Sequence, residues 1–510
     1  MTDRLTPLQR SYCMSKIKGK DTGLELRFRQ YLLSRGMKGF VTNACLPGKP
    51  DIFFRGRKTA VFIDGCYWHK CPECFKLPKT NGTFWKSKLD KNTRRDKKIT
   101  FLLKKKGFSV VRLWEHQIEN DRKACMEKIK EALEKANARK PQMENKKGII
   151  AADIFCGAGG LTRGLLDADI RVMKGYDTDV RVKDTYEKNN GGVMFYPHDV
   201  RKITKKSILK NMDRENYHFL LAGCAPCQPF SNINRQEKKR DGRKPLLLEF
   251  GRLVKETYPD FVFIENVPGL MSRKGERFFT EFLNILDNEG YYYDYETVNM
   301  KDYGIPQNRQ RLVLLASKYG RIDVPERTHG LPGSGRKPYV PIDGIIKKYP
   351  RIAAGEKHPK IPNHETRSLS EINLERLRFT KRNGGSRTDL PEHLRLKCHE
   401  KHGGHSDVYG RMKFGTVSPA LTCKCTSISN GRFGHPTQLR GISVREAAAL
   451  QTFKDTYIFY GLLTETTKWV GNSVPVKFGR IMGNGFGAHI KKIEGNLNEI
   501  HNRATGSHKS

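Results

Sequence analysis

Lys147-Gly-Ile-Ile-Ala-Ala-Asp-Ile-Phe155 runs directly into Cys156-Gly157-Ala158-Gly159-Gly160-Leu161-Thr162. The largely apolar run predicts a strand. The glycines suit a tight turn, and a helix opens behind them. A strand, a Gly-rich turn and a helix start make a nucleotide-type crevice. On its own that is a weak signal, but the chain repeats it. Arg171–Tyr176 is the next strand, with Asp177-Thr178-Asp179 at its end. Val193–Tyr196 ends at His198-Asp199. Such acids either cap the following helices or face a ligand, Asp177 toward ribose hydroxyls and Asp199 toward an adenine amino group. Three strand ends in register favour the ligand. Phe219–Ala222, Asp260–Ile264 and Leu312–Ala316 are further strands with helical patterns between most of them. Alternating βα units predict an α/β fold with a doubly wound, largely parallel sheet.

The fourth strand enters Gly223-Cys224-Ala225-Pro226-Cys227-Gln228-Pro229-Phe230-Ser231. Two prolines fix φ on either side of one thiol, in a stiff loop at a strand end. Reactive groups sit in such loops. Cys224 and Cys227 read either as a C-x-x-C pair, redox-active or half a zinc site, or as a lone nucleophile, Cys227, with an unrelated neighbour. The fifth strand ends in Glu265-Asn266-Val267-Pro268. Gln307-Asn308-Arg309-Gln310-Arg311 precedes the strand at Leu312, and alternation puts Arg309 and Arg311 on one face.

At 510 residues the chain has room for two or three domains. It holds 95 Lys and Arg against 54 Asp and Glu, a formal charge of +41. That excess points to a polyanion, nucleic acid above all. Met1–Lys20 contains no secretory h-region, and no apolar run is long enough to span a bilayer. The expectation is a cytoplasmic, nucleoid-associated protein without a membrane partner. Twelve Cys then read as thiols, metal ligands or catalysts rather than a disulfide framework. Residues 319–439 break the βα pattern, being rich in Gly, Pro, Arg and Lys. His402, His405, Cys423 and Cys425 make a poor metal set there, because Cys-x-Cys does not suit a tetrahedral ion. A basic, loop-rich insert suits reading DNA sequence. A helix at Ser443–Thr452, a turn at Val470–Pro475 and a last helix follow, then a frayed basic tail from residue 491.

Read in order, Lys147–Ile490 resembles the DNA (cytosine-5)-methyltransferases. The resemblance rests on Asp-Ile-Phe-Cys-Gly-Ala-Gly-Gly160, Pro-Cys227-Gln-Pro-Phe-Ser231, Glu265-Asn-Val267, Gln-Asn-Arg309-Gln-Arg311, Arg440–Gln451 and Val-Gly-Asn472-Ser-Val-Pro475. It implies an S-adenosylmethionine site built from Phe155, Gly157, Gly159, Leu161, Asp177, Asp199 and Asn472. It makes Cys227 the nucleophile that adds to cytosine C6, Glu265 the group that holds the base, and Arg309 and Arg311 a clamp on base and backbone. By the same resemblance 148–318 and 440–490 form the catalytic domain and 319–439 the target-recognition region.

The first third of the chain is of another kind. It holds 35 basic and 15 acidic residues up to Lys146, about +20 of the charge. Thr22-Gly-Leu-Glu25 opens a helix to about Arg35 and reads as a capping box. Asp51 opens a strand, and Asp64 closes the next, Thr59–Asp64, across a basic turn. In a hairpin these ends meet, and two acidic or carbonyl ligands there suit Mg²⁺. Cys66-Tyr-Trp-His69-Lys-Cys71-Pro-Glu-Cys74 suits a structural zinc, with His69 or His116 as a fourth ligand. Phe84-Trp85 begins a basic helix to about residue 106, and Ser109–Trp114 is a strand. Trp68, Trp85 and Trp114 lie beside basic residues, suited either to insertion into DNA or to a partly buried core. Residues 137–147 read as a linker.

Residues 1–136 resemble the very-short-patch-repair (Vsr) endonucleases, which nick DNA beside the T of a T·G mismatch. The features are Thr-Gly-Leu-Glu25, Leu-Pro-Gly-Lys-Pro-Asp51, Val-Phe-Ile-Asp-Gly-Cys66-Tyr-Trp-His69, Cys71-x-x-Cys74, Phe-Trp85 and Trp-Glu-His116. The resemblance implies a restriction-endonuclease-like α/β domain. In it Asp51 binds Mg²⁺, His69 is the general base and Glu25 assists. Cys66, Cys71, Cys74 and His116 hold zinc, and Tyr67, Trp68 and Trp85 wedge into the base stack. Asp64 stands where the best-studied members carry His, adding a metal ligand or a phosphate-activating group. The two resemblances fit one story, since 5-methylcytosine deaminates to thymine and leaves T·G. The expectation is a monomer acting on double-stranded DNA, with mismatch-repair or restriction-modification proteins as partners. The rival readings of the first domain are a restriction endonuclease cutting unmethylated sites and a DNA tether with a dead nuclease centre.

Overall fold

The computed structural model describes residues 21–42, 44, 46–77, 82–105, 107–137, 146–226, 246–272, 275–396 and 407–506. Cys227, the 227–231 loop, His402, His405 and most of the expected linker lie outside the described residues. The chain divides into two compact units, one built mainly on the first 142 residues and one on most of the remainder.

In the first unit Thr22 caps helix α1 (Gly23–Ser34) by accepting from the Glu25 N–H, and the Glu25 carboxylate accepts from the Asp21 N–H at 2.8 Å. Strand β1 (Ile52–Phe54) pairs antiparallel with β2 (Thr59–Asp64). After helix α2 (Gly82–Lys105), strand β3 (Ser109–Trp114) pairs parallel with β2 on its other side. Helices α3 (Glu115–Asn120) and α4 (Arg122–Asn137) follow. The period of two sorts the strand residues between two cores. Ile52, Phe54 and Val61 pack with Phe28, Leu32, Leu113 and Ile129 on the α1/α4 side. Phe53, Ala60 and Phe62 pack with Leu103 of α2 on the other. The small sheet is therefore covered on both faces, and the ends of β1 and β2 that carry Asp51 and Asp64 come together at one edge.

The second unit is a seven-stranded sheet. Its strands in chain order are β4 (Ile149–Ile154), β5 (Arg171–Asp177), β6 (Met194–Pro197), β7 (His218–Gly223), β8 (Phe261–Asn266), β9 (Tyr292–Asn299) and, after the two-residue β10 (Gln307–Asn308), β11 (Gln310–Ser317). The spatial order is β6-β5-β4-β7-β8-β11-β9. Every pair from β6 to β8 is parallel, and β11 runs antiparallel to β8. Strands β4, β7 and β8 are buried at every position, which is why they read as mostly apolar runs, with Asp153, His218, Glu265 and Asn266 as the buried polar exceptions. The order reverses at β4, so the topological switch lies between β4 and β7, with the crevice at their carboxyl ends. Among the described residues no helix is long and apolar enough to cross a membrane.

One expectation gives way. The final helix, Val476–Gly506, continues through most of the stretch read as a frayed tail. Ile490, Ile493, Leu497 and Ile500 carry its apolar period onward inside a polar composition. The insert at 319–439, expected to be loop-rich, buries apolar side chains such as Ile342, Ile352, Leu390, Met412 and Phe433, and a polar contact adds to them. Its small core of Leu377, Tyr409 and Ile428 adjoins a buried arginine, Arg411. That guanidinium donates to the carbonyls of Leu377, Thr380, His435 and Gln438.

Candidate active sites

At the carboxyl end of β4 the backbone turns through Phe155 at φ 64°, Gly157 at 50° and Gly159 at 81°. A Phe in the left-handed region is an outlier of the kind that clusters at ligand sites. Asp177, at the end of β5, reaches across to this turn. One of its oxygens accepts from the Gly157 N–H at 3.0 Å and the other from the Asp179 N–H at 2.9 Å. Burial raises its carboxyl above the usual range. Leu161 is 3% exposed, so its side chain belongs to the floor of the turn rather than to an open surface. Asp199 caps a short 3-10 turn after β6 and is forked to Arg201, which holds its carboxyl down at about 2. Asn472 is exposed at the end of helix Leu463–Asn472.

At the ends of β7 and β8 the chain assembles a second constellation. Glu265 is buried in β8 and meets Arg311 Nε at 2.7 Å. The next residue, Asn266, donates from Nδ2 to the Ala225 carbonyl at 3.1 Å, tying β8 to the loop that leads into Cys227. Loss of solvent, with the Glu265 charge adding to it, pushes the Cys224 thiol well up, so Cys224 is held as a thiol. Arg309 does not share a face with Arg311. A contact from its own N–H to the Gln307 carbonyl breaks the strand at this point, and β10 pairs instead with Ser418–Pro419. Arg309 is 3% exposed and donates to the carbonyls of Leu421, Gly471 and Ser473. Burial brings its pKa down to about 9. Its guanidinium is thus engaged by the backbone, whereas that of Arg311 faces Glu265.

In the first unit the hairpin ends meet as expected: Asp51 Oδ2 accepts from the Ile63 N–H at 2.7 Å. Burial, with the charges of Glu25 and Asp64 adding to it, raises Asp51 to about 6. That is a pocket of crowded carboxylates, a fit for a hard divalent cation. His69 Nδ1 lies 2.6 Å from Asp96 Oδ2 and 3.6 Å from Asp64 Oδ1. Asp64 is itself forked to Arg112 at 2.6 Å twice, so its oxygens are already engaged. This contact restrains the role expected of Asp64 as a free ligand. Sequence reasoning missed Asp96 and Arg112. A signal existed: Asp90 and Asp96 are the two acids of the strongly basic helix α2, and each has a partner, Lys70 and His69.

Cys66, Cys71, Cys74 and His116 bring one ligand atom each to within 4.8 Å of one another. The separations suit a tetrahedral ion with bonds of about 2.3 Å to sulfur. His116 turns Nδ1 inward, 3.2 Å from Cys66 Sγ, and Nε2 outward to Glu73 at 3.1 Å. His69 is not in this group. Beside it Tyr67, Trp68 and Trp85 form a mutual edge-to-face cluster with centroids 5.2–6.0 Å apart. Phe84 extends it, 61% exposed, and the Lys88 ammonium lies over the Trp85 ring at 5.1 Å.

The chain belongs to the C-5 cytosine-specific DNA methylases, whose family model matches residues 149–486. The model of the DNA mismatch endonuclease Vsr matches residues 2–75, so both enzyme families are present in one polypeptide. The type II methylase M.HgiDII of Herpetosiphon aurantiacus is 39% identical over 69% of this chain and 96% of its own length. The type II methyltransferase M1.HphI of Haemophilus parahaemolyticus is 30% identical, over 63% of this chain and 82% of its own. Among solved structures, a DNA modification methyltransferase encoded within an E. coli prophage superposes with a TM-score of 0.52 at 22% identity, covering 67% of this chain and 99% of that one, which speaks to the fold alone. Membership in the methylase family brings with it S-adenosylmethionine as methyl donor.

Proposed function

We propose that the protein methylates C5 of cytosine in a specific duplex sequence and nicks DNA at the T·G mismatches left when that product deaminates. For the methylase, the carrying observation is the Glu265–Arg311 pair beside the loop that leads into Cys227. Cytosine C5 is a poor nucleophile. The Cys227 thiolate adds to C6 and turns C5 into an enamine-like carbon. Glu265 holds N3 and the exocyclic amine while charge builds on the ring, and Arg311 steadies Glu265 and the base. The β4–β5 turns and the 471–475 turn would hold S-adenosylmethionine, whose sulfonium methyl would pass to C5 with the neutral thioether S-adenosylhomocysteine as leaving group. Water then takes the C5 proton and the Sγ–C6 bond breaks, restoring the ring. The cytosine is flipped out of the duplex for this. Residues 319–439 select the sequence.

For the nuclease, the carrying observation is the His69–Asp96 pair beside Asp51, Glu25 and Asp64. Asp96 accepts a hydrogen bond from Nδ1–H and fixes that tautomer, leaving Nε2 free to draw a proton from water. Asp51 would hold Mg²⁺, which supplies charge stabilisation at the scissile phosphate. Zinc on Cys66, Cys71, Cys74 and His116 Nδ1 would brace the loop that carries His69. Tyr67, Trp68 and Trp85, extended by Phe84, would enter the base stack.

A second reading draws on the type II names of the relatives: the first domain is the cutting partner of a restriction-modification pair. Full-length protein with Mg²⁺ separates the two. Nicking of a T·G duplex with sparing of unmodified duplex supports the first, and double-strand cleavage of unmodified duplex supports the second. Cys227→Ser abolishes labelled methyl transfer in either case, and transfer that survives it overturns the methylase mechanism.

A further inference from the structure

Three stretches far apart in sequence meet at the turn Gly471–Pro475. Gln451, fully buried, donates from Nε2 to the carbonyls of Val470 at 2.9 Å and Ser473 at 3.2 Å. Its Oε1 accepts from Gln307 Nε2 at 3.1 Å, and Gln307 Oε1 accepts in turn from the Leu421 N–H at 3.0 Å. Arg309 closes the other side through Leu421, Gly471 and Ser473. The turn so held is sandwiched. A Cβ on Gly160, at the start of the cofactor-turn helix, would lie 2.3 Å from the Val474 carbonyl oxygen. A Cβ on Gly471 would lie 1.8 Å from that of Thr422. Two residues past Arg309 stands Arg311 on Glu265. The network therefore joins the wall of the cofactor crevice to the strand that carries the base-holding pair.

We infer that Gln451 and Gln307 are positioning residues for methyl transfer, a directed amide relay that sets the 471–475 turn against the Gly-rich cofactor turn. The direction of the relay makes this more than packing. Gln451 must donate to two buried carbonyls, and a carboxylate there cannot. Gln307 must accept from Leu421 and donates once, so a carboxylate there keeps the acceptor and loses one bond, with Arg309 nearby to balance it. An unmade buried hydrogen bond weighs more than the mean worth of a made one, and two are lost at Gln451.

The test uses full-length Q451E and Q307E with unmethylated plasmid DNA and labelled S-adenosylmethionine, reading KM for the donor, kcat and DNA affinity. The expected result is a rise of about 10-fold or more in donor KM for Q451E. Q307E is expected to rise about 3-fold, with DNA affinity the same in both. Equal effects of the two variants, or an unchanged donor KM in Q451E, overturn the relay. Should Q451E not fold, Q451N, which keeps the amide and shortens its reach, takes its place. It is expected to raise donor KM, and a wild-type KM overturns the proposal. The inference rests on the methylase reading, and the failure of that reading would show separately, as no methyl transfer by the wild-type protein.

Discussion

Arg309 and Arg311 stand two positions apart and do unlike work. Arg311 faces a carboxylate at a strand end, while Arg309 is spent on three carbonyls. A guanidinium forks equally well onto phosphate, carboxylate or peptide oxygen, so residue type alone cannot assign it. His69 carries the complementary lesson. Its helper, Asp96, lies 27 positions on, and only folding of α2 across the hairpin brings it to 2.6 Å. In Asp96→Asn the amide can turn either its oxygen or its nitrogen toward the ring, so Nδ1–H is no longer fixed and Nε2 is not reserved for the incoming proton. Nicking of a T·G duplex is expected to fall by about 10³ with methyl transfer unchanged, measured by single-turnover gel assay. A loss below 10-fold would place Asp96 outside the mechanism.

At the scale of elements, Arg411 plays in the insert the part that a buried leucine plays elsewhere. Arg411→Leu leaves four carbonyls without their donor, and each buried unsatisfied group costs about 1–3 kcal/mol. Limited proteolysis is expected to cut the variant within 319–439 where the wild type resists, with sequence-specific methylation lost. Resistance equal to wild type would deny Arg411 this role. The last helix carries a pH signature. His489 Nε2 lies 2.8 Å from Ser317 Oγ of β11, and burial, with Lys492 adding and Asp323 opposing, pushes its pKa down to about 4. The unfolded chain binds the proton more readily. Its stabilising contribution is therefore whole above about 6.5 and lost as pH falls toward 4. His435, also at about 4 through burial, acts in the same direction. His489→Gln is expected to shrink the fall in Tm between pH 7.5 and 5 by a few degrees, and an unchanged fall would contradict the assignment. Most of these elements were legible. Helix α1, strands β2 and β3 and the buried strands β4, β7 and β8 announce themselves by cap or apolar period. The insert did not, because its buried apolar residues follow no regular period and are joined by an arginine on backbone oxygens, in a composition that reads as a DNA-contact surface. The tail did not, because its three isoleucines and one leucine are diluted by polar residues.

For the whole molecule, the charge of +41 and the pairing of a cytosine methylase with a Vsr-type domain argue for one DNA substrate seen at two stages. The methylase half was readable because its motifs sit at strand ends whose order is fixed by a doubly wound sheet. In the Vsr-type half the meeting of Cys66, Cys71, Cys74 and His116 was readable, and its charge network, made by contacts between β2, β3 and α2, only partly so. The most direct test maps the cytosines methylated by the full-length protein, then places T·G at one such position in a duplex with Mg²⁺. The account predicts a nick beside that T, absent in Asp51→Ala and retained in Cys227→Ser. Cleavage of the unmethylated, fully paired site with the T·G duplex left intact would contradict it.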